Sequence, residues 1–342
     1  MECLNCINST LSDINCPFCS KSFCSFSCLE THMICYHQST HNLKNNIYEK
    51  PKISRIHNNK LPKASSISSP YITYGFIARN LIYEKKYDLD NFIPELEYKE
   101  PIIIGSGSYG KVYLYRNIID NKLYAIKHMK KMRLLRSLKT LSGIYEEIYI
   151  QSRIFHKNIV RLLYVKENCD SFDLVMEFSN KGSLFFYIRE RNYLTEKESF
   201  NFFSQIANAV YFLHKNDLIH RDIKPENILL FDNNICKLCD FGWCVKLDGK
   251  QRSTFCGTAE YMSPEIVNKL DYSKEIDVWS LGILLYEMVH GYSPFRPKKE
   301  NFNAKEVIDN IKIHDLKFSI FISEECKELI CHLLDENKKK KI

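Results

Sequence analysis

Eight consecutive residues, His220-Arg221-Asp222-Ile223-Lys224-Pro225-Glu226-Asn227, bring together the groups needed to transfer a phosphoryl group to a hydroxyl. Asp222 can take up the proton of an incoming serine or threonine hydroxyl, Lys224 can neutralise the transferred phosphoryl, and Asn227 can reach a magnesium ion. Any one of them alone reads as a solvated acid, cation or amide. Together, in this order and with partners on both sides, they read as a site. Asp240 in the run Cys239-Asp240-Phe241-Gly242 stands thirteen residues past Asn227, a spacing that fits a strand hairpin returning a second magnesium ligand.

Such groups act only if elements hold them. From about Leu96 the pattern is strand-like, and the run IIIGSGSYGKVYLY sets Gly105, Gly107 and Gly110 between two apolar strand segments. Glycines there let a hairpin's backbone approach phosphates closely, with Val112 left to cover adenine. The run YAIK follows, contributing Ala125 to the nucleotide-binding set and Lys127 to pair with the nucleotide's first two phosphates. A basic amphipathic region leads to a helix in which Glu147 would fix Lys127 through an ion pair, with Glu146 as the competing choice. The apolar strand DLVMEF then runs into Glu177 to Ser179, whose backbone would face adenine with Met176 behind it and Leu229 as its floor. The stretch SFNFFSQIANAVYFLH predicts a helix ahead of the octet, and Asp277 in DVWSLG could brace the octet from a buried helix. Between Asp240 and Glu265 runs a long polar loop with hydroxyls at Ser253, Thr254 and Thr258. Arg221, beside Asp222, could pair with a phosphate placed on that loop.

A length of 342 residues, with 45% hydrophobic and 26% charged residues, suits a soluble globular chain of one large and one small domain. No apolar run approaches the ~20 residues of a spanning helix and the first residues are polar, so the expected location is cytoplasm or nucleus, with no membrane contact. The net charge of +7 is modest and partly gathered in Lys338 to Lys341. There is no aromatic-studded basic stripe, so no nucleic acid is expected as a partner.

Seven of the 14 cysteines fall before residue 41, a clustering that argues for metal rather than disulfides. The run is Cys3-x2-Cys6, Cys16-x2-Cys19, Cys24-x3-Cys28 and His32, followed by Cys35, His37 and His41. Four pairs supply eight ligands, enough for two tetrahedral zinc ions. Cys35 and His37 are the alternatives for the eighth. Residues 42–96 turn to Asn, Lys, Ser and Pro and read as a flexible linker, with an aromatic stretch at Tyr71 to Asp90 that could dock on something.

The stretch CPFCSKSFCSFSCLETH resembles a HIT-type zinc finger and, more loosely, a MYND finger. That resemblance implies Cys3, Cys6, Cys24 and Cys28 on one zinc, and Cys16, Cys19, His32 and the eighth ligand on the other, in a module that binds a protein partner. Residues 97–342 resemble a eukaryotic serine/threonine protein kinase. The stretch DFGWCVKLDGKQRSTFCGTAEYMSPE, with EIYIQS and HRDIKPENILL, resembles the Aurora group most. The resemblance implies an α+β, bilobal fold with ATP and Mg2+ in the cleft, phosphorylation of proteins at serine or threonine at roughly 1 to 100 per second once active, and Thr254 as the phosphorylated residue of the loop. Glu226 and Glu287 stand where basophilic relatives receive an arginine two residues before the target, so substrates with basic residues are expected. Two positions depart from the family pattern: Ser263 replaces alanine, and Lys340 replaces the arginine that would pair with Glu265. A catalytically silent scaffold, the alternative, would ordinarily have lost Lys127, Asp222 or Asp240, and all three are present.

Overall fold

A computed structural model describes residues 14–15, 22–23, 88–97, 100–107, 110–132, 141–249, 251–318 and 322–335. The expected zinc ligands from Cys3 to Cys35 with His37, most of the linker, and Lys340 lie outside them. Two short strands, β1 (Ile14–Asn15) and β2 (Ser22–Phe23), pair antiparallel with Ile14 opposite Phe23. The chain divides into two compact units, the second comprising residues 153–161 and 177–342 and the first the remainder.

The first unit is built on a six-stranded sheet in the order β3-β7-β8-β10-β9, with β6 also paired to β7. Its strands are β3 (Phe92–Pro94), β6 (Ile103–Gly107), β7 (Gly110–Asn117), β8 (Leu123–Lys130), β9 (Leu162–Glu167) and β10 (Ser171–Glu177), with β4 (Leu96–Glu97) and β5 (Glu100–Pro101) paired as a separate hairpin. Helix α1 (Leu141–Arg153) turns Ile144, Tyr145 and Ile148 onto Met129, Leu162, Val165, Phe172 and Leu174, and this cluster is the unit's core. The sheet reaches further toward the amino terminus than the expected linker boundary at 96 allows. Phe92 pairs with Asn117, is buried, and meets the Tyr124 ring edge-on at 5.4 Å. Pro94 disguised this strand, yet a proline is tolerated on an edge, where no ladder hydrogen bond is demanded of its nitrogen.

The second unit is mainly helical: α2 (Leu184–Arg191), α3 (Glu196–Lys215), α4 (Pro264–Val267), α5 (Glu275–His290), α6 (Ala304–Ile313) and α7 (Glu324–Leu333). Thr195 caps α3 in a reciprocal box with Glu198, which explains where that apolar run starts. Helix α5 is buried almost all round, and a Cβ on its Gly282 would come within 2.7 Å of the Leu334 side chain, so glycine is what lets the chain around Leu333 and Leu334 approach so closely. The helix ends at Gly291 (φ 80°), where a Cβ would lie 1.8 Å from Asn192 O. Short antiparallel pairs complete the unit: β11 (Leu218–Ile219) with β14 (Val245–Lys246), and β12 (Ile228–Leu230) with β13 (Cys236–Leu238). The mainly β and mainly helical units fit the expected bilobal kinase fold. Among the described residues no helix is long and apolar enough to cross a membrane.

Candidate active site

In the first unit, strand register decides which side chains share a face. Val112 stands opposite Lys127 and Leu114 opposite Ala125, so all four project from the same side of the sheet. Lys127 Nζ lies 3.2 Å from Glu147 Oε1, and Glu147 is buried. Gly105 lies opposite Val112 and Gly107 opposite Gly110. Close packing demands glycine at position 110, where a Cβ would meet His128 O at 2.1 Å; at Gly107 a Cβ would meet nothing within 4 Å, so that side of the loop is open.

In the second unit, the octet is suspended from Asp277. Its Oδ2 accepts from His220 N at 2.9 Å and its Oδ1 from Arg221 N at 2.9 Å, while His214 Nε2 lies 2.9 Å from Oδ2. Burial works to raise the Asp277 pKa, but the hydrogen bond and charge of His214 and the Arg221 amide hold it below the usual carboxyl range. His220 is itself buried, and burial lowers its pKa. A neutral ring with its proton on Nε2 suits both contacts: Nε2 faces Cys239 O at 3.2 Å and Nδ1 accepts from Asp222 N at 3.4 Å. Arg221 holds a left-handed backbone (φ 69°), as does Asp240 (φ 59°), the unusual conformations a tight functional loop concentrates.

Asp222 sits among polar side chains. Lys224 Nζ stands 2.9 Å from its Oδ2 and 3.1 Å from its Oδ1. The Thr258 hydroxyl accepts from Lys224 at 2.7 Å and donates to Asp222 Oδ1 at 3.3 Å. Asn227 Nδ2 donates to both Asp222 O and Asp222 Oδ2 at 2.8 Å. With both amide hydrogens so used, Asn227 has its oxygen for a cation, and oxygen is what magnesium takes. The β12–β13 hairpin brings Asp240 back: Ile228 stands opposite Leu238, and Cys239 N donates to Asn227 O at 2.8 Å. One side-chain oxygen of Asp240 accepts from Gly242 N at 3.3 Å. In the second unit the Asn227 amide oxygen and the Asp240 carboxylate suit Mg2+, and in the first the Lys127 ammonium and the open glycine loop suit the phosphates of ATP. Leu229 is partly exposed on β12, where a base could rest.

Two features bear on the backbone expected to face adenine. The Glu177 amide donates to Arg161 O at 3.4 Å and its carboxylate accepts from Arg161 N at 2.7 Å and Lys237 Nζ at 2.5 Å, so that amide is not a donor for a base. The Ser179 hydroxyl turns inward to Leu230 O and Gly182 O, which restricts this residue to its main-chain groups. A third feature was not visible in the sequence: Arg221 Nε donates to Trp243 O at 2.6 Å and Nη1 to the Tyr272 hydroxyl at 3.0 Å, and nothing in the spacing of Tyr272 announced that contact.

The protein kinase domain family matches residues 98–342, more than half of the chain. The chain therefore belongs to the protein kinase family. Among its relatives is an Aurora kinase of Schizosaccharomyces pombe, 36% identical over 239 residues, which are 70% of this chain and 66% of that protein. An Aurora kinase of Debaryomyces hansenii is 32% identical over 314 residues, 87% of this chain and 75% of its own length. The serine/threonine-protein kinase sgk-1 of Caenorhabditis elegans is 36% identical over 241 residues, 70% of this chain and 51% of its own length. These relatives support a serine/threonine protein kinase similar to the Aurora kinases.

Proposed function

We propose that this chain transfers the γ-phosphoryl of ATP to serine and threonine hydroxyls of proteins, prefers targets preceded by basic residues, and is activated by a phosphate on Thr254. The observation that carries this reading is the Asp222 carboxylate, held by Lys224, Asn227 and Thr258 below a loop suspended from Asp277. Asp222 orients the incoming hydroxyl and receives its proton; Lys224 neutralises charge on the phosphoryl in transit; Asn227 and Asp240 would hold Mg2+, and Lys127, fixed by Glu147, would hold the first two phosphates of ATP. Bound Mg2+ supplies Lewis-acid neutralisation of the triphosphate.

Three carboxylates support the basic preference. Glu226 and Glu260 both raise the pKa of Glu287, so the three lie within electrostatic reach of one another. Such a group would receive an arginine two residues before the target hydroxyl. Activation rests on Thr254 being exposed while Arg221 is tied to the same segment through Tyr272.

The amino-terminal residues 1–41 form, on this reading, a two-zinc module that binds a protein partner. The support is the four ligand pairs and the β1–β2 pair, which brackets residues 16–21 and hence Cys16 and Cys19. Among the described residues there is no group of three or more His, Cys, Asp or Glu side chains placed to hold a metal. Cytoplasm or nucleus is the proposed location.

A panel of peptides with serine, threonine or tyrosine targets, with and without arginine two residues earlier, tests the transfer and its preference. Transfer to serine and threonine with a lower KM for the arginine peptides is expected. Equal use of tyrosine, or no gain from arginine, would contradict the respective part.

A further inference from the structure

The segment carrying Thr254 is fastened at Tyr272, in addition to the Arg252 guanidinium on Lys246 O. Tyr272 is 1% exposed, and its main chain pairs with Arg252 in both directions, Arg252 N to Tyr272 O at 2.9 Å and Tyr272 N to Arg252 O at 2.8 Å. At the far end of the ring, its hydroxyl accepts from Arg221 Nη1 at 3.0 Å, donates to Thr254 O at 2.8 Å, and lies 3.7 Å from Cys256 Sγ. Burial raises the Tyr272 pKa against the pull of the Arg221 charge, so the hydroxyl retains the proton it donates to Thr254. Arg221 is fixed at two of its three nitrogens, Nε on Trp243 O and Nη1 on Tyr272, and a planar guanidinium held at two points presents the third, Nη2, in a set direction.

We propose that Tyr272 is a positioning residue of the switch: its hydroxyl ties the main chain of Thr254 to Arg221 before any phosphate is present. A phosphate added to Thr254 then meets a guanidinium already placed for it. Without the hydroxyl, part of the energy of that charge-assisted pair is spent on ordering the segment and the arginine. The inference rests on activation through Thr254 proposed above, and adds to it the residue that makes the phosphate effective.

The experiment uses the full chain as wild type, Tyr272→Phe, Arg221→Ala and the double variant. Each is prepared phosphatase-treated and in a form phosphorylated on Thr254, verified by intact mass and peptide mapping. Three quantities are read: the ratio of kcat/KM between the two forms, the rate at which phosphatase removes the Thr254 phosphate, and the melting temperature. Tyr272→Phe retains the buried ring, so the fold persists. The activation ratio should fall about 10-fold and phosphate removal should quicken about 10-fold, the size of one lost hydrogen bond to a charged group. Arg221→Ala should do the same, and the double variant should be no worse than the more damaging single one, as for residues acting on one path. A Tyr272→Phe chain that melts lower but retains the wild-type ratio and protection would make Tyr272 merely structural and overturn the inference. If phosphorylation leaves the wild type unchanged, the activation reading falls first and takes this inference with it.

Discussion

Asp222 cannot turn freely, because both carboxylate oxygens are engaged, Oδ1 by Thr258 and Lys224, Oδ2 by Asn227 and Lys224. This side chain and its neighbours were legible in the sequence, since the octet packs them into eight positions and their order leaves little else they could be. Tyr272 was not: a tyrosine acting through one hydroxyl leaves no periodic trace, and its partners Arg221 and Thr254 lie 51 and 18 residues away. Glu287 gives the prediction at this scale. Burial pushes its carboxyl up to about 7, opposed by the Tyr261 hydroxyl 2.6 Å away and reinforced by Glu226 and Glu260. The folded chain therefore holds this proton more tightly than the unfolded chain, so the stability it contributes is complete below the unfolded value and is lost as pH rises through about 7. Glu287→Gln should gain in melting temperature over the wild type between about pH 5 and about pH 8. Ionisation should also lower the wild-type KM for an arginine peptide as pH rises through about 7, and the Gln form should lack that trend. Parallel profiles for the two forms would contradict the assignment.

At the scale of elements, α5 matters to catalysis through one residue that faces the octet. Asp277→Asn preserves volume but has one acceptor oxygen, so the His220 or Arg221 amide loses its partner, which should cost about 1–3 kcal/mol of stability. It should lower kcat with little change in KM for ATP, because it displaces Asp222 rather than the glycine loop; denaturant titration and steady-state kinetics check both. Helix α4 gives a prediction of the opposite sign. Ser263 is 1% exposed and its hydroxyl has no hydrogen-bond partner among the described residues. Ser263→Ala removes that buried polar group, and the chain should gain about 1 kcal/mol on denaturation. A loss would mean that the hydroxyl is satisfied. The elements themselves were readable where their pattern is long, as in α3 with its capping threonine, and less so where it is short. β3 is three residues with a proline, a pattern that reads as linker, and its pairing with β7 and the buried Phe92 reveal it.

For the whole molecule, the order of motifs along the chain conveyed more than any of them alone: a glycine loop, a lysine, a glutamate, the octet and a second aspartate fall in sequence, and the two units divide them in the same order. What the sequence could not supply was the partner set of each polar group: the Glu177 amide and carboxylate and the Ser179 hydroxyl all find partners within the chain. The amino-terminal cysteines make a separate prediction, independent of transfer. The purified chain should contain about two equivalents of zinc, and a chelator should unfold residues 1–41 while the catalytic domain stays folded; metal analysis that finds no zinc would end that reading. The central claim is chemical, and it is tested by incubating the purified chain with labelled ATP, magnesium and a basic peptide, beside Asp222→Asn. Wild type should incorporate label and the variant should lose about 10²–10⁴-fold in rate, the usual contribution of a positioned base, whereas equal incorporation by both would contradict the account.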